Sequence, residues 1–541
     1  MNINSDIMTN YEKVCYTIKI NLSRGKFMSV ELKKLNLGCA DGDSESNKKE
    51  FLDLFYTGNN KYDEITNDPM KYIVFGKKGT GKTVLGRYIE KKYNQKGIEC
   101  RIFNKDDIAL LKMIEKNKEE LSGDEAIQLF KWILYRKIHQ VIKNKTIKGK
   151  FGLKKDTRQR NKDIKAYNKA LARLNEMCLI RYGNGNYEFD GYTDNDGEKI
   201  TAEIQGKGKR LLSKVTGEKN KEISRIYTTK EFYKLIDEFE ECIFICLKVQ
   251  SVVIILDDLD ELDIDLGEDK YSAKALNKLI EAMKNVNLLF AKNELLSSKC
   301  ILLIRSDIIE ELNKRSTNLN KVIQDNSVEL YWIEKENSTP ERHMIMEMIL
   351  NKVKKSSKEY YNYSNKELYK ILFPEPINKQ NVVTYLINNS YGRPRDIITY
   401  LQIIKKRYPN ETCFRAKMFR ECKQSYSDAF QKELYNEAKI HIDLETFEEY
   451  LKLIRDYGKN SFYASNLRTY YKSRRKNYNK SIDVNECLTK LYQLGVVGNM
   501  RKNSNDEIIY SWGYRKDGNP NVNLELKLTV HYGLRNILNT K

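Results

Sequence analysis

The chain has 541 residues, with 96 Lys or Arg against 75 Asp or Glu, for a formal charge of +21. At roughly 150 residues per domain, a single domain is excluded and about three to four units are expected. A hydrophobic fraction of 40%, with 36 Tyr and 18 Phe, can build their cores, and 32% charged residues argues against a fibrous or disordered chain. The positive excess points to acidic partners, whether nucleic acid, nucleotide phosphate or an anionic surface, without choosing among them.

Ten cysteines are scattered without a CxxC pair, which suits a reduced cytoplasmic protein. Cys242 and Cys246 have helical spacing in an apolar stretch, so packing is the expectation there. Four histidines, His139, His343, His441 and His531, stand too far apart in sequence to suggest a zinc cluster or a His-based triad. No run approaches the 18 apolar residues that a membrane span needs, so no membrane association is expected.

In chain order, residues 1–34 read as an N-terminal extension, untranslated in part or disordered. Arg24-Gly25 can be encoded as AGG-GGN just ahead of Met28, the shape of a ribosome-binding site, so Met28 is the expected start. The first clear element is the apolar run Tyr72 to Phe75, followed by Gly76-Lys77-Lys78-Gly79-Thr80-Gly81-Lys82-Thr83 and the helical pattern VLGRYIEKKY. This is GxxxxGK[ST] between a strand and a helix, the context in which the motif cradles phosphate. Glycines let backbone N–H groups point at phosphate oxygens, and the positive helix start favours the anion. Lys82 is expected to bridge terminal phosphates and the Thr83 hydroxyl to hold Mg²⁺. Lys77 and Lys78 add positive charge to the loop or remain solvated.

Further strands are expected at Glu99 to Phe103, at Val252 to Leu256, at Cys300 to Ile304 and at Ser327 to Ile333, with an amphipathic helix over Asp124 to Ile142. Alternation of this kind predicts a parallel α/β sheet. Asp257 and Asp258 follow the second of these strands, where a buried parallel sheet presents its ligand edge. Asp257 is expected to hold the metal's water shell and Asp258 to polarise an attacking water. Asp260, Glu261, Asp263 and Asp265 read as a solvated acidic loop. With one strand inserted between the first and the acidic one, the architecture matches an additional-strand P-loop NTPase sheet. Arg305 would then sense the terminal phosphate, or simply cap a strand end.

Thr339-Pro340 is expected to open a helix, with Thr as N-cap and Pro at its first position. Within a helical lid over residues 339–438, Gly392-Arg393-Pro394-Arg395-Asp396 starts a patterned helix. Arg393 and Arg395 either reach a bound nucleotide, pair with Asp396 or stay in solvent. Residues 439–541 show three helical stretches and then short strands, Gly495 to Met500, Ile508 to Tyr514 and Leu524 to Val530, a winged-helix-like plan. Its basic edge is Arg468, Lys472, Arg474, Arg475 and Lys476, serving DNA or a protein contact. The most one-sided charge lies in residues 141–170, with eleven Lys or Arg against two Asp, at the head of an insertion over residues 141–225. That segment reads either as a solvated lysine-rich face or as a contact for a phosphate backbone.

Taken together, LGCADGDSESNKKEFLDLFYTG, FGKKGTGKT, ILDDLDEL, LLIRSDIIEEL, GRPRDII and the terminal VHYGLRNILN resemble bacterial P-loop ATPases related to the AAA+ and STAND classes. The resemblance covers the chain from about Leu35, with the ATPase domain over residues 35–338. It implies ATP at Gly76 through Thr83, Mg²⁺ at Thr83 and Asp257, hydrolysis at Asp258 and Lys82, and sensing at Arg305, Arg393 or Arg395. It also implies a cytoplasmic setting, often beside defence or mobile elements. Asp258 stands where many relatives have Glu, so a slow nucleotide-gated switch is expected, with a second copy or a protein effector as partner. Two other functions fit the motifs: an ATP-licensed DNA-binding protein of the origin-recognition type, and a non-hydrolysing NTP-bound scaffold.

Overall fold

The computed structural model describes residues 29–104, 123–148, 155–177, 229–259, 270–314, 319–333, 339–439, 441–504, 506–516 and 518–541. The expected start at Met28, the acidic residues Asp260, Glu261, Asp263 and Asp265, and most of the insertion after residue 177 lie outside them. The chain forms two compact units: a sheet unit, Gly42–Asn47 with Asn59–Tyr331, and a helical unit, the described part of Met1–Asp41 with Lys48–Gly58 and Trp332–Lys541.

In the sheet unit, five strands are ordered β2-β3-β4-β1-β5, all parallel: β1 Ile73–Gly76, β2 Glu99–Phe103, β3 Val252–Leu256, β4 Lys299–Arg305 and β5 Ser327–Glu329. Every residue of β3 and β4 is buried, which is why both read as near-continuous apolar runs: helices must cover both faces of a parallel sheet. The helices Lys82–Gln95, Gly123–Ile142 and Lys270–Lys292 provide cover, and Gly86 of the first lies so close to the sheet that a Cβ there would come within 2.8 Å of Leu303. The only polar side chain to open a central strand, Lys299, is buried and donates to the carbonyls of Ile65 at 2.8 Å, Asp68 at 2.7 Å and Lys71 at 3.1 Å. β4 separates β1 from β3, and the sheet's carboxyl edge therefore gathers the ends of β1, β4 and β3 in that order.

The helical unit is built round one contiguous apolar core that runs from Val30 through the helices of residues 344–457 to Leu538. Its second sheet is antiparallel, ordered β6-β9-β7-β8, with β6 Ser461–Phe462, β7 Val497–Lys502, β8 Ile508–Ser511 and β9 Lys527–Val530. Helices Leu444–Tyr457, Ala464–Ser473 and Val484–Gln493 precede or interleave with these strands. Asp443 and Asp483 cap the first and third by accepting from backbone N–H groups of their opening turns. Thr339 is the N-cap and Pro340 lies just inside a helix start, as expected, but the helix they open is short. Pro340–Arg342 is a single 3₁₀ turn, and the α-helix starts at Met344, where the His343 side chain accepts from the Ile345 N–H at 3.3 Å. Among the described residues, no helix is long and apolar enough to cross a membrane.

Candidate functional site

The segment between β1 and the helix Lys82–Gln95 turns on Gly79 and Gly81, whose φ values of 82° and 96° lie in the left-handed region that costs a side-chain-bearing residue about 1–2 kcal/mol. The Leu85 N–H donates to Gly81 O at 2.9 Å, which sets the first helical bond. N–H groups ahead of it have no partner within the helix and lie at its positive end. Gly76 is needed for a different reason: a Cβ there would stand 2.6 Å from Thr80 Oγ1 and 2.9 Å from Leu330 O. Thr80 is buried, and its hydroxyl donates to Lys77 O at 2.8 Å, so the loop is folded tightly on itself.

Over this loop lies Lys82, whose ammonium donates to Gly76 O at 3.1 Å and Lys77 O at 3.4 Å. Lys82 and Thr83 are adjacent at the helix start and both half-buried, as are Lys77 and Lys78. A helix N-terminus and one ammonium thus belong to the same short loop, a combination that an anion with several oxygens can use.

On the neighbouring strand Arg305 lies level with Gly76. It is buried, not a surface residue at a strand end, and its guanidinium forms a fork with Asp307: Nε donates to Oδ1 at 2.9 Å and an Nη bonds Oδ2. Asp307 also accepts from the Ile308 N–H at 3.1 Å, which fixes the carboxylate that Arg305 grips. This partner depends on the strand-to-helix junction, so spacing alone does not reveal it.

Asp257 follows β3 and is buried; its N–H donates to Phe103 O at 2.9 Å, continuing the ladder with β2. Its Oδ1 accepts from the Asp258 N–H at 2.9 Å, so the first carboxylate orients the backbone that carries the second. Asp258 is half-buried at φ 54°, a conformation that Asp tolerates better than most residues but that still stores strain. The two neighbouring carboxylates thus differ: Asp257 is buried at the sheet edge, whereas Asp258 is half-buried on a left-handed backbone.

Arg393 and Arg395 belong to the helical unit, where Arg393 is buried beside two carboxylates. Its guanidinium is buried, donates to Asp396 Oδ2 at 3.0 Å, bonds Glu437 and lies over the Tyr391 ring at 4.6 Å. Asp396 is further held by the Tyr391 N–H at 3.1 Å. Of the alternatives for Arg393, pairing with Asp396 is observed, and that charge compensates the buried Asp396 carboxylate. Arg395 donates to Ala40 O at 3.1 Å and Glu433 Oε2 at 3.3 Å, and remains partly exposed.

In the basic edge of residues 468–476, Arg468 donates to Asn485, Arg474 lies over Tyr470 at 4.4 Å, and Arg475 donates to Tyr478 O, while Lys472 and Lys476 are exposed. The following helix, Val484–Gln493, exposes Asn485 and Glu486 and carries no arginine. Among the described residues, no group of three or more His, Cys, Asp or Glu side chains is gathered as a metal cluster.

Compared with known families, residues 343–435 match the FunZ-associated C-terminal helical domain. The match lies within the helical unit and includes Arg393, Arg395 and His343. None of the curated proteins compared with the chain matches it.

Proposed function

We propose that the chain is a Mg²⁺-dependent P-loop ATPase working as a slow nucleotide-gated switch, with ATP held at the carboxyl edge of the five-stranded sheet. The observation that carries this is the convergence at Gly76: its carbonyl accepts the Lys82 ammonium, and Arg305 lies level with it on the next strand. Backbone N–H groups of Gly79 through Thr83 would cradle the phosphates, and Lys82 would leave the two loop carbonyls for the terminal phosphate oxygens. Thr83 and Asp257 suit a hard cation that keeps most of its water, and such a cation supplies charge neutralisation of the phosphate oxygens. Asp258, half-buried beside Asp257, would accept the proton of the attacking water.

Slow turnover has two supports. Asp258 is one methylene shorter than the Glu of many relatives, and Arg305 must exchange Asp307 for the phosphate before it can act. The arginine-carboxylate fork then becomes the gate: closed in the nucleotide-free protein and opened by a stronger anion. Shifting such an equilibrium from 1:99 to 99:1 takes about 5.5 kcal/mol of differential binding. The choice of ATP over GTP rests on the resemblance to P-loop ATPases of the AAA+ and STAND classes. The helical unit, with its winged-helix-like end, is the output element, and a protein effector or a second copy of the chain its partner. A setting in bacterial defence or on a mobile element accompanies this proposal through the resemblance alone.

Calorimetric titration with ATP, with and without Mg²⁺, tests it. Binding that requires Mg²⁺ and weakens roughly 10- to 100-fold in Lys82→Ala is expected for the loss of a charged hydrogen-bonding group. Equal affinity of wild type and Lys82→Ala would overturn the proposal. ATP retained without any turnover would favour the scaffold function instead.

A further inference from the structure

The helix Lys155–Met177 of the sheet unit is amphipathic in an unusual way. Ile164, Tyr167, Leu171 and Leu174 are buried, and the helix packs along Thr229–Leu247. Its far side carries Arg158, Lys162, Lys165 and Lys169, all exposed. Their spacings of four, three and four residues place them within roughly a 60° sector, opposite the buried face, at 100° per residue. None of the four has an ion-pair partner among the described residues, whereas Arg173, one turn further, is paired with Glu238 and Glu176.

The platform under this row is fixed. Asn168 exchanges bonds with the backbone of Ile147, its Oδ1 accepting at 3.3 Å and its Nδ2 donating at 2.9 Å, and the Tyr167 hydroxyl donates to Lys145 O at 2.9 Å. These bonds hold the segment 145–148, with exposed Lys148, against the same helix.

We infer that this face binds the phosphodiester backbone of duplex DNA. The row from Arg158 to Lys169 is about 16 Å long, on the order of five phosphates of one strand. A membrane surface fits less well, because interfacial helices bury an apolar face in the lipid and this helix has already buried its own. Single strands fit less well too, since no exposed aromatic side chain stands in the row for bases to stack on. Binding through such a face is independent of sequence and steeply dependent on salt. The inference stands apart from the ATPase proposal, because it concerns a different face and needs no nucleotide.

Fluorescence anisotropy of a labelled 30-base-pair duplex, titrated with the full chain at several salt concentrations, provides the test. The triple variant Lys162→Gln, Lys165→Gln, Lys169→Gln should bind about 10-fold or more weakly and lower the log–log salt slope by roughly 2 to 3, near 0.9 per lost contact. The triple Lys→Arg variant should bind like wild type. Unchanged thermal unfolding of the triple Gln variant separates lost contact from lost fold. Duplex RNA run in parallel distinguishes the source of the backbone. Wild-type affinity in the Gln variant would overturn the inference, as would a wild type that binds phosphatidylserine vesicles through these lysines and ignores the duplex.

Discussion

The two units handle buried charge in opposite ways. In the helical unit, Arg393 is closed in by Asp396, Glu437 and the Tyr391 ring, so its charge is spent on holding helices together. In the sheet unit, Arg305 is just as buried, yet the Asp307 carboxylate it grips stands two residues away on the same turn, and its backbone lies level with a glycine loop. The difference teaches that burial and ion pairing do not distinguish a strut from a switch. Under the proposed function, what distinguishes them is whether the partner belongs to a distant element, as Glu437 does, or to a local fork such as Arg305–Asp307, which an anion would have to replace.

Substitutions should separate the two roles. The largest effect is expected at Asp258→Asn, which keeps a residue tolerant of positive φ and should cut ATP turnover by 10²- to 10⁴-fold while binding and unfolding temperature stay near wild type. Arg393→Ala should cost about 3–5 kcal/mol of stability, since it strands the buried Asp396 and the half-buried Glu437, and should leave ATP affinity unchanged; denaturant unfolding alongside titration measures both. If Arg393→Ala instead abolished ATP binding in a folded protein, the contrast between the units would fail.

Acid should discriminate next. Burial, reinforced by nearby Arg515, holds His531 down to about 3, and burial holds His343 at about 4; both lie in the helical unit. In the sheet unit burial lowers His139 to about 4, although its bond to Asn175 opposes this. These groups stay neutral when folded but take up protons below about 6.5 when unfolded, so stability present above pH 6.5 is lost as pH falls toward the folded values. By pH 4.5 the loss should be on the order of 2–3 kcal/mol per histidine, twice over in the helical unit, as thermal unfolding against pH can follow. The smallest expected effect is at Ser364→Ala, which breaks a reciprocal capping box with Glu367 and should cost about 1 kcal/mol without touching nucleotide binding.

Much of the sheet was legible because a parallel strand buried on both faces leaves a simple trace: VVIIL and CILLI are apolar throughout, and their alternation with helices implies parallel pairing. The loop from Gly76 to Thr83 was legible because its glycines mark backbone requirements that few other residues can meet. What escaped depends on contacts distant in sequence or very short in extent. Glu437 lies 44 residues from Arg393, so nothing local announces their pairing. β6 has two residues, too few for any period, and the strand expected over SVELYWI stops at Glu329. His343 as a helix cap was hidden by the Thr-Pro pair ahead of it, which signals a helix start but makes only one 3₁₀ turn.

Hydrogen exchange of the full chain with and without MgATP tests the central claim most directly. Protection concentrated in residues 76–85, with a second zone at residues 303–308 as the Arg305 fork rearranges, is the predicted result. Protection confined to the helical unit around Arg393, or none at saturating MgATP, would contradict it.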